Sequence, residues 1–147
     1  MSDKGAYKAF DRSLYNKADT RGKDVISSWL TEHGHSITNT KENYSCDIVT
    51  EKNGVTHNTE VEIKFSWKGK WPDTWEEIRI PYRKEKLLVK ENLTFYVLRS
   101  DCKQAWAISA DILKNIATVK EASNKYIRKG EKFFHIPVKH AQLLEII

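Results

Sequence analysis

The sequence predicts an α/β (α+β) domain in which helices flank a mixed central β-sheet. Apolar side chains recur at helical spacing near the start of the chain, segments with alternating polar and apolar residues follow, and a further helical segment separates the early strands from the later ones. Strands and helices that alternate in this way are typical of a sheet covered by helices. A length of 147 residues suits one domain, and we expect a single domain over residues 1–147.

Two helices are expected before the first strand. Tyr7, Phe10 and Leu14 are spaced as on one face of a short helix. A second helix is predicted over residues 20–33, where an apolar stripe is followed by Gly34, a residue type that commonly ends helices. Both helical segments precede the part of the chain that alternates with the period of a strand.

Strands are predicted from alternation with a period of two and from turn residues. Asn53 and Gly54 form the dipeptide typical of a two-residue hairpin turn, and they join the two clearest early strands. Ser109 would cap a late helix. The expected strands are 35–40, 46–50, 56–65, 76–80, 94–99, 104–108 and 132–138, and the expected later helices are 82–91 and 109–116.

The composition favours a folded protein with polyanionic partners. Hydrophobic residues make up 39% of the chain, and the formal net charge is +5, which favours partners such as nucleic acid. Cys46 and Cys102 lack the spacing of a zinc site, so we expect reduced thiols and a cytoplasmic protein. No apolar run is long enough to span a membrane, and residues 1–5 lack the apolar segment of a signal peptide.

The main functional pattern lies on the predicted hairpin. Side chains of a strand alternate between its two faces, so Glu60, Glu62 and Lys64 share one face. A tight two-residue turn places Asp47 opposite Glu60 and diagonal to Glu62, whereas a longer loop or a bulge would move Asp47 toward Glu62. In either register, carboxylates from two strands converge within about 5–8 Å and a lysine stands beside them.

Facing carboxylates destabilise a sheet unless a positive charge compensates them. A bound Mg²⁺ would supply that charge, since it takes carboxylate, water and phosphate oxygens. The same ion would polarise a phosphodiester and lower the pKa of an attacking water. Lys64 would orient this water or stabilise the charge that develops on phosphorus, and beside two carboxylates its pKa is expected to rise.

The pattern of Asp47 followed by Glu62-Ile63-Lys64, on a hairpin after a helix, resembles the PD-(D/E)xK nuclease superfamily. This superfamily includes many restriction endonucleases and the archaeal Holliday-junction resolvases, and the resemblance covers about residues 20–91. It implies a restriction-endonuclease-like fold. It also implies that Asp47, Glu62 and the carbonyl of Ile63 hold Mg²⁺, for which Mn²⁺ would substitute, and that Lys64 is the catalytic lysine.

The match to that superfamily is partial. Cys46 stands where many members have proline, and Asp24 is the nearest counterpart of a glutamate that many members carry on the first core helix. Asp24 is therefore a further catalytic candidate by resemblance. The competing interpretation of the row of acids is a solvated strand face with glutamate and lysine side by side.

Two basic segments border the predicted site. One is a loop that interleaves tryptophans with lysines, a pattern that stacks on bases and contacts phosphates. The other is the basic helix predicted over residues 82–91. Core packing of the tryptophans and a solvated amphipathic helix face are the alternatives. The candidate nucleic-acid contacts are Lys68, Lys70, Trp71, Arg79, Arg83, Lys84 and Lys86.

Together these features predict a Mg²⁺-dependent DNA endonuclease, a hydrolase in which water attacks a phosphodiester in line. We expect a homodimer, because symmetric cutting of two strands is simplest for a twofold dimer. Two other functions stay open: a non-catalytic nucleic-acid-binding module on the same fold, and a small adaptor or inhibitor that binds protein. The sequence leaves open DNA against RNA and sequence-specific against structure-specific cleavage.

Overall fold

The structure is a computed structural model that describes residues 12–39, 47–64, 76–121 and 131–146, with side chains of the first range described from residue 20 onward. Among the described helices, none is both long and apolar enough to cross a membrane. The elements in chain order are α1 (Arg12–Glu32), β1 (Ser36–Asn39), β2 (Ile48–Lys52), β3 (Val55–Lys64), β4 (Glu77–Pro81), a 3-10 helix (Tyr82–Val89), β5 (Leu93–Arg99), β6 (Gln104–Ser109), α2 (Ala110–Asn115), β7 (Thr118–Glu121), β8 (Lys132–Pro137), a short 3-10 turn (Val138–His140) and β9 (Gln142–Glu145).

The strands form two sheets. A six-stranded sheet has the order β1-β2-β3-β5-β6-β9, and a three-stranded sheet has the order β4-β8-β7. The pair β3 and β5 is parallel, and the other pairs among the described strands are antiparallel. The expectation of an α/β protein with a mixed sheet beside helices is thus confirmed. The second sheet is not predicted by the sequence, because β4 pairs with a strand that lies far along the chain.

The six-stranded sheet is covered on both faces. On one face, Ile26 and Leu30 of α1 pack with Tyr96 and Leu98 of β5. On the other face, Phe95 and Val97 pack in a cluster with apolar side chains of β4, β8, α2 and the 3-10 helix, among them Ile78, Ile80, Leu88, Leu113, Phe134 and Ile136. Residues of β3 and β5 that pair in register share a face, so Glu60 and Glu62, which pair with Phe95 and Val97, lie under the second layer.

The predicted strands are present, with ends displaced by a few residues. The helix prediction needs correction, because α1 begins at Arg12 and the helix expected around Leu14 is its first part. Tyr7 and Phe10 lie outside the described residues. Strands β7 and β9, which are short and mostly exposed, are absent from the sequence prediction.

Two further local predictions are confirmed only in part. The segment predicted as a helix over residues 82–91 is a 3-10 helix with three residues per turn, so its side chains are distributed differently from those of an α-helix. Ser109 occupies the N-cap position of α2, but its side chain makes no capping hydrogen bond.

The β2–β3 hairpin has the register that a tight turn predicts. Asn53 and Gly54 have φ angles of 53° and 78°, and two consecutive positive values are the signature of the two-residue turn that matches the twist of a hairpin. Ile48 pairs with Thr59. Asp47, one residue before Ile48, therefore lies opposite Glu60, and a longer loop or a bulge is excluded.

Gly22 marks the closest approach of α1 to β3. A Cβ atom at this position would lie 2.6 Å from Cδ1 of Ile63 and 3.4 Å from Cγ1 of Val61. Contacts this short require the neighbouring side chain to move. The absence of a side chain at Gly22 therefore sets how closely the helix covers the strand that carries the candidate site.

We expect Gly22→Val to lower the free energy of unfolding by about 1–3 kcal/mol, because the branched side chain overpacks the contact with Ile63. Urea denaturation measures this change. Ser28→Val is the matched control, since Ser28 is exposed on the same helix and the substitution adds the same side chain without the overpacking. Valine has a higher helix propensity than glycine, so a loss of stability in Gly22→Val cannot come from propensity. Equal losses in the two variants would contradict the close contact.

Candidate active site

Asp47 and Glu60 form the centre of the candidate site, and their exposed fractions are only 5% and 4%. The backbone N–H of Asp47 donates to Oε2 of Glu60 over 2.8 Å. The backbone N–H of Val61 donates in turn to Oδ2 of Asp47 over 2.9 Å. These two bonds hold the carboxylate of each residue against the backbone of the opposite strand segment.

Two lysines compensate the charge of these carboxylates. Nζ of Lys84, on the 3-10 helix, donates to Oε1 of Glu60 over 2.6 Å. Nζ of Lys23, on α1, lies 3.5 Å from Oδ1 of Asp47. The pair of acids thus receives one ammonium group from each of the two layers that cover the sheet.

The ionisation of Glu60 and Lys84 reflects their burial and their pairing. Burial, together with the charge of Asp47, raises the pKa of Glu60. Burial acts to lower the pKa of Lys84, yet the charge and the hydrogen bond of Glu60 outweigh burial and raise it. Lys84 is therefore a fixed positive charge at neutral pH.

Glu62 differs from Glu60 in its surroundings, although both lie on the same face of β3. Its side chain is partly exposed. Within the described residues, no hydrogen bond occupies the Glu62 carboxylate, while its charge acts on both Lys64 and Lys84. Glu62 therefore retains oxygen atoms for a ligand.

Lys64 bridges the two sheets. Its Nζ donates to the backbone carbonyl of Arg79 on β4 over 2.9 Å. Burial lowers the pKa of Lys64, and the charges of Arg79 and Arg83 lower it further, against the opposing effect of Glu62. The expected rise in the pKa of Lys64 is wrong, because the second layer reduces the contact of the ammonium group with water and brings two cations close to it.

The carbonyl of Ile63 lies on the open side of β3. Because β2 begins opposite Thr59, none of the strands that the structure describes pairs with residues 61–64 on that side. Backbone groups point to the two sides of a strand in alternation, so the carbonyl of Ile63 points to the same side as the N–H of Val61, which contacts Asp47. Asp47 and Ile63 thus direct oxygen atoms to the same side of the strand.

The donor set of Asp47, Glu62 and the Ile63 carbonyl fits a hard cation such as Mg²⁺. All three supply oxygen, and Mg²⁺ commonly binds one or two carboxylates and completes its shell with water and phosphate oxygens. In the part of the chain that the structure describes, no cluster of three or more histidine, cysteine, aspartate or glutamate side chains has the arrangement of a metal site. A metal ion here would therefore depend on the carbonyl and on non-protein oxygens.

Asp24 lies apart from this cluster. It is exposed on α1, where it lines a surface hollow of about 560 Å³ with Trp29 and Ile146. The residue of this helical turn that reaches Asp47 is the neighbouring Lys23. Successive helical residues point about 100° apart, so a shift of one position changes which side chain faces the sheet.

The basic candidates fall into two groups. Arg79, Arg83 and Lys86 are exposed on β4 and the 3-10 helix, and the first two are close enough to influence the pKa of Lys64. Lys84 instead points inward to Glu60. The remaining candidates, Lys68, Lys70 and Trp71, lie outside the described residues.

Comparison of the chain with protein-family models, with curated proteins and with solved structures finds no match. Membership of the PD-(D/E)xK superfamily therefore stays a prediction from the motif. The function of the site is argued below from its own geometry.

We expect Lys64→Met to raise the melting temperature near neutral pH, because the folded protein disfavours the charged form of Lys64. Below the lowered folded-state pKa both states are protonated, and the gain is largest. It shrinks as pH rises through the folded-state pKa toward the ordinary value of 10.5, and well above that value the wild-type lysine is neutral in both states. Melting curves of both proteins from about pH 7 to about pH 10 test this.

The control for Lys64→Met is Lys103→Met, which removes an exposed lysine from a loop. It should leave the melting temperature nearly unchanged at each pH. A stability gain in Lys64→Met that stays constant across the pH range would show that packing, and not the charge of Lys64, causes it.

Proposed function

We propose that the protein is a Mg²⁺-dependent DNA endonuclease that hydrolyses phosphodiester bonds, with Mn²⁺ able to replace Mg²⁺. The observation that carries this proposal is the buried pair of Asp47 and Glu60 beside Glu62 and Lys64. Burial of adjacent charges costs free energy, and such clusters concentrate at functional sites. A solvated strand face, the competing interpretation, does not require buried acids.

Asp47, Glu62 and the carbonyl of Ile63 would hold the metal ion in this proposal. When bound, Mg²⁺ supplies positive charge to a phosphate and lowers the pKa of a water. Asp47 is suited to this role because the N–H of Val61 donates to one of its oxygens, while among the described residues the other oxygen has the looser contact with Lys23. Glu62 is suited because it is the more accessible glutamate of the row.

Lys64 would orient the attacking water or stabilise the charge that develops on phosphorus. Lys64 shares a face of β3 with Glu62, so it lies beside the proposed metal ligands. The hydrogen bond to the carbonyl of Arg79 holds Nζ in place. Arg79 and Arg83, which are exposed nearby, would bind phosphates of the DNA backbone.

The order of α1, the antiparallel strands β1 to β3 and the parallel strand β5 supports a restriction-endonuclease-like fold for the domain. Structure-specific cleavage and cleavage at a short site are both compatible with such a fold. A homodimer would place two such sites for symmetric cutting of two strands.

The test is cleavage of supercoiled plasmid, linear duplex, single strands and a four-way junction with Mg²⁺, Mn²⁺ or EDTA. We expect metal-dependent cutting that falls by about 100-fold or more in Asp47→Asn, Glu62→Gln and Lys64→Ala. Glu51→Gln is the matched control, because Glu51 is an exposed carboxylate on β2. Absence of cutting on every substrate would refute the nuclease.

Binding of DNA should depend on the exposed arginines. Arg83→Met is expected to weaken binding of a DNA duplex and to reduce the slope of log K against log salt concentration by about one, because one phosphate contact is lost. Fluorescence anisotropy at several salt concentrations measures the slope. Lys103→Met, which removes an exposed lysine from the turn between β5 and β6, should keep the wild-type slope, and an unchanged slope in Arg83→Met would exclude this contact.

A second candidate function is a nucleic-acid-binding module without catalysis. The observation that favours it is that Lys23 and Lys84 already compensate Asp47 and Glu60, so the cluster has no need of a metal ion for its stability. Titration with Mn²⁺ separates the candidates. A nuclease binds Mn²⁺ and loses it in Asp47→Asn, whereas a pure binding module retains salt-sensitive DNA binding without a metal site.

A further inference from the structure

We infer that Glu60 and Lys84 form a positioning pair that fixes the carboxylate of Asp47, and that neither of them contacts the metal ion or the nucleic acid. The inference rests on the proposed function of the same site. Under this inference, Lys84 does not contact phosphate. Glu60 and Glu62, which lie on the same face of β3, have different roles.

Both carboxylate oxygens of Glu60 are already engaged. Oε1 accepts from Lys84 over 2.6 Å, and Oε2 accepts from the backbone of Asp47 over 2.8 Å. The carboxylate therefore links the 3-10 helix to the first residue before β2. A buried carboxylate with a partner on each oxygen is suited to holding other groups, whereas the partly exposed Glu62 is suited to a ligand.

Glu60 holds Asp47 at a position just outside the paired residues of β2 and β3. The ladder between β2 and β3 starts at Ile48, so Glu60 supplies the acceptor for the Asp47 N–H. With its backbone held, Asp47 places Oδ2 on the N–H of Val61. Oδ1 then faces Lys23 at 3.5 Å, a contact loose enough for a stronger ligand to replace. Glu60 and Lys84 thus determine which carboxylate oxygen of Asp47 is available to a ligand.

In the 3-10 helix, the side chain of Lys84 is buried more than those of its basic neighbours Arg83 and Lys86. The side chain of Lys84 is 19% exposed, whereas that of Arg83 is 63% exposed. Tyr82 anchors the start of the helix on Phe134, with ring centroids 5.1 Å apart. With three residues per turn, Arg83 and Lys86 share an outer row, and Lys84 belongs to a different row that includes the partly buried Leu87.

The test compares Lys84→Met and Glu60→Gln with Lys84→Arg and with Lys86→Met, an exposed lysine on the same helix. The first readout needs no metal or DNA. Amide hydrogen exchange should accelerate at Asp47 and Val61 by about tenfold in Lys84→Met and Glu60→Gln, with smaller changes elsewhere in β2 and β3. Lys84→Arg should restore most of the protection, and Lys86→Met should match wild type.

The second readout is the affinity for Mn²⁺, and the third is steady-state cleavage. We expect Mn²⁺ affinity and kcat to fall by about 10–100-fold in Lys84→Met while the KM for DNA stays near wild type. Glu60→Gln retains the shape of the side chain, so it probes the same link even if Lys84→Met folds poorly. Lys84→Arg should recover most of the lost kcat and should leave the KM near wild type.

Two results would overturn the inference. A higher KM with unchanged amide exchange in Lys84→Met would make Lys84 a nucleic-acid contact. Loss of Mn²⁺ binding in Glu60→Gln as complete as in Asp47→Asn, with no loss in Lys84→Met, would make Glu60 a metal ligand. If the wild-type protein cuts no substrate, the proposed nuclease fails, and exchange at Asp47 and Val61 still decides whether the pair positions Asp47.

Discussion

The register of the β2–β3 hairpin is the constraint on which the candidate site depends. The turn at Asn53 and Gly54 sets this register, and it places Asp47 opposite Glu60. Because side chains alternate along a strand, a slip of one residue would turn Glu60, Glu62 and Lys64 toward α1 and would bury Val61 and Ile63 on the wrong face. A two-residue turn with positive φ at both positions leaves little freedom for such a slip.

The same register places the carboxylates of Asp47 and Glu60 side by side, and the two layers that cover the sheet compensate their charge. Two adjacent carboxylates leave water when the sheet is covered, and burial of unpaired charges costs several kcal/mol for each ion, to order of magnitude. Lys23 comes from α1 and Lys84 from the 3-10 helix, so each layer brings a cation when it docks. The site is therefore complete only in the fully packed protein.

Local patterns were sufficient to predict the hairpin, the shared face of Glu60, Glu62 and Lys64, and the position of Asp47, because each depends on strand periodicity and on one turn. The inward direction of Lys84 was not predictable, since it depends on a 3-10 helix where helical spacing indicates an α-helix. The second sheet requires β4 to pair with β8, which no local pattern encodes. The lowered pKa of Lys64 follows from that sheet, because β4 and its neighbours cover the lysine.

The alternation of side chains along β3 gives no reason to distinguish Glu60 from Glu62. The covering layers distinguish them, because they bury Glu60 more than Glu62. Glu60 lies beside Phe95 and under the 3-10 helix, where every oxygen needs a partner from the protein. Glu62, two residues further along β3, is partly exposed. Lys64, after a further two residues, has a pKa that burial lowers. The difference in burial between Glu60 and Glu62, more than the motif itself, supplies a physical reason to place the proposed metal ligand at Glu62 and the structural support at Glu60.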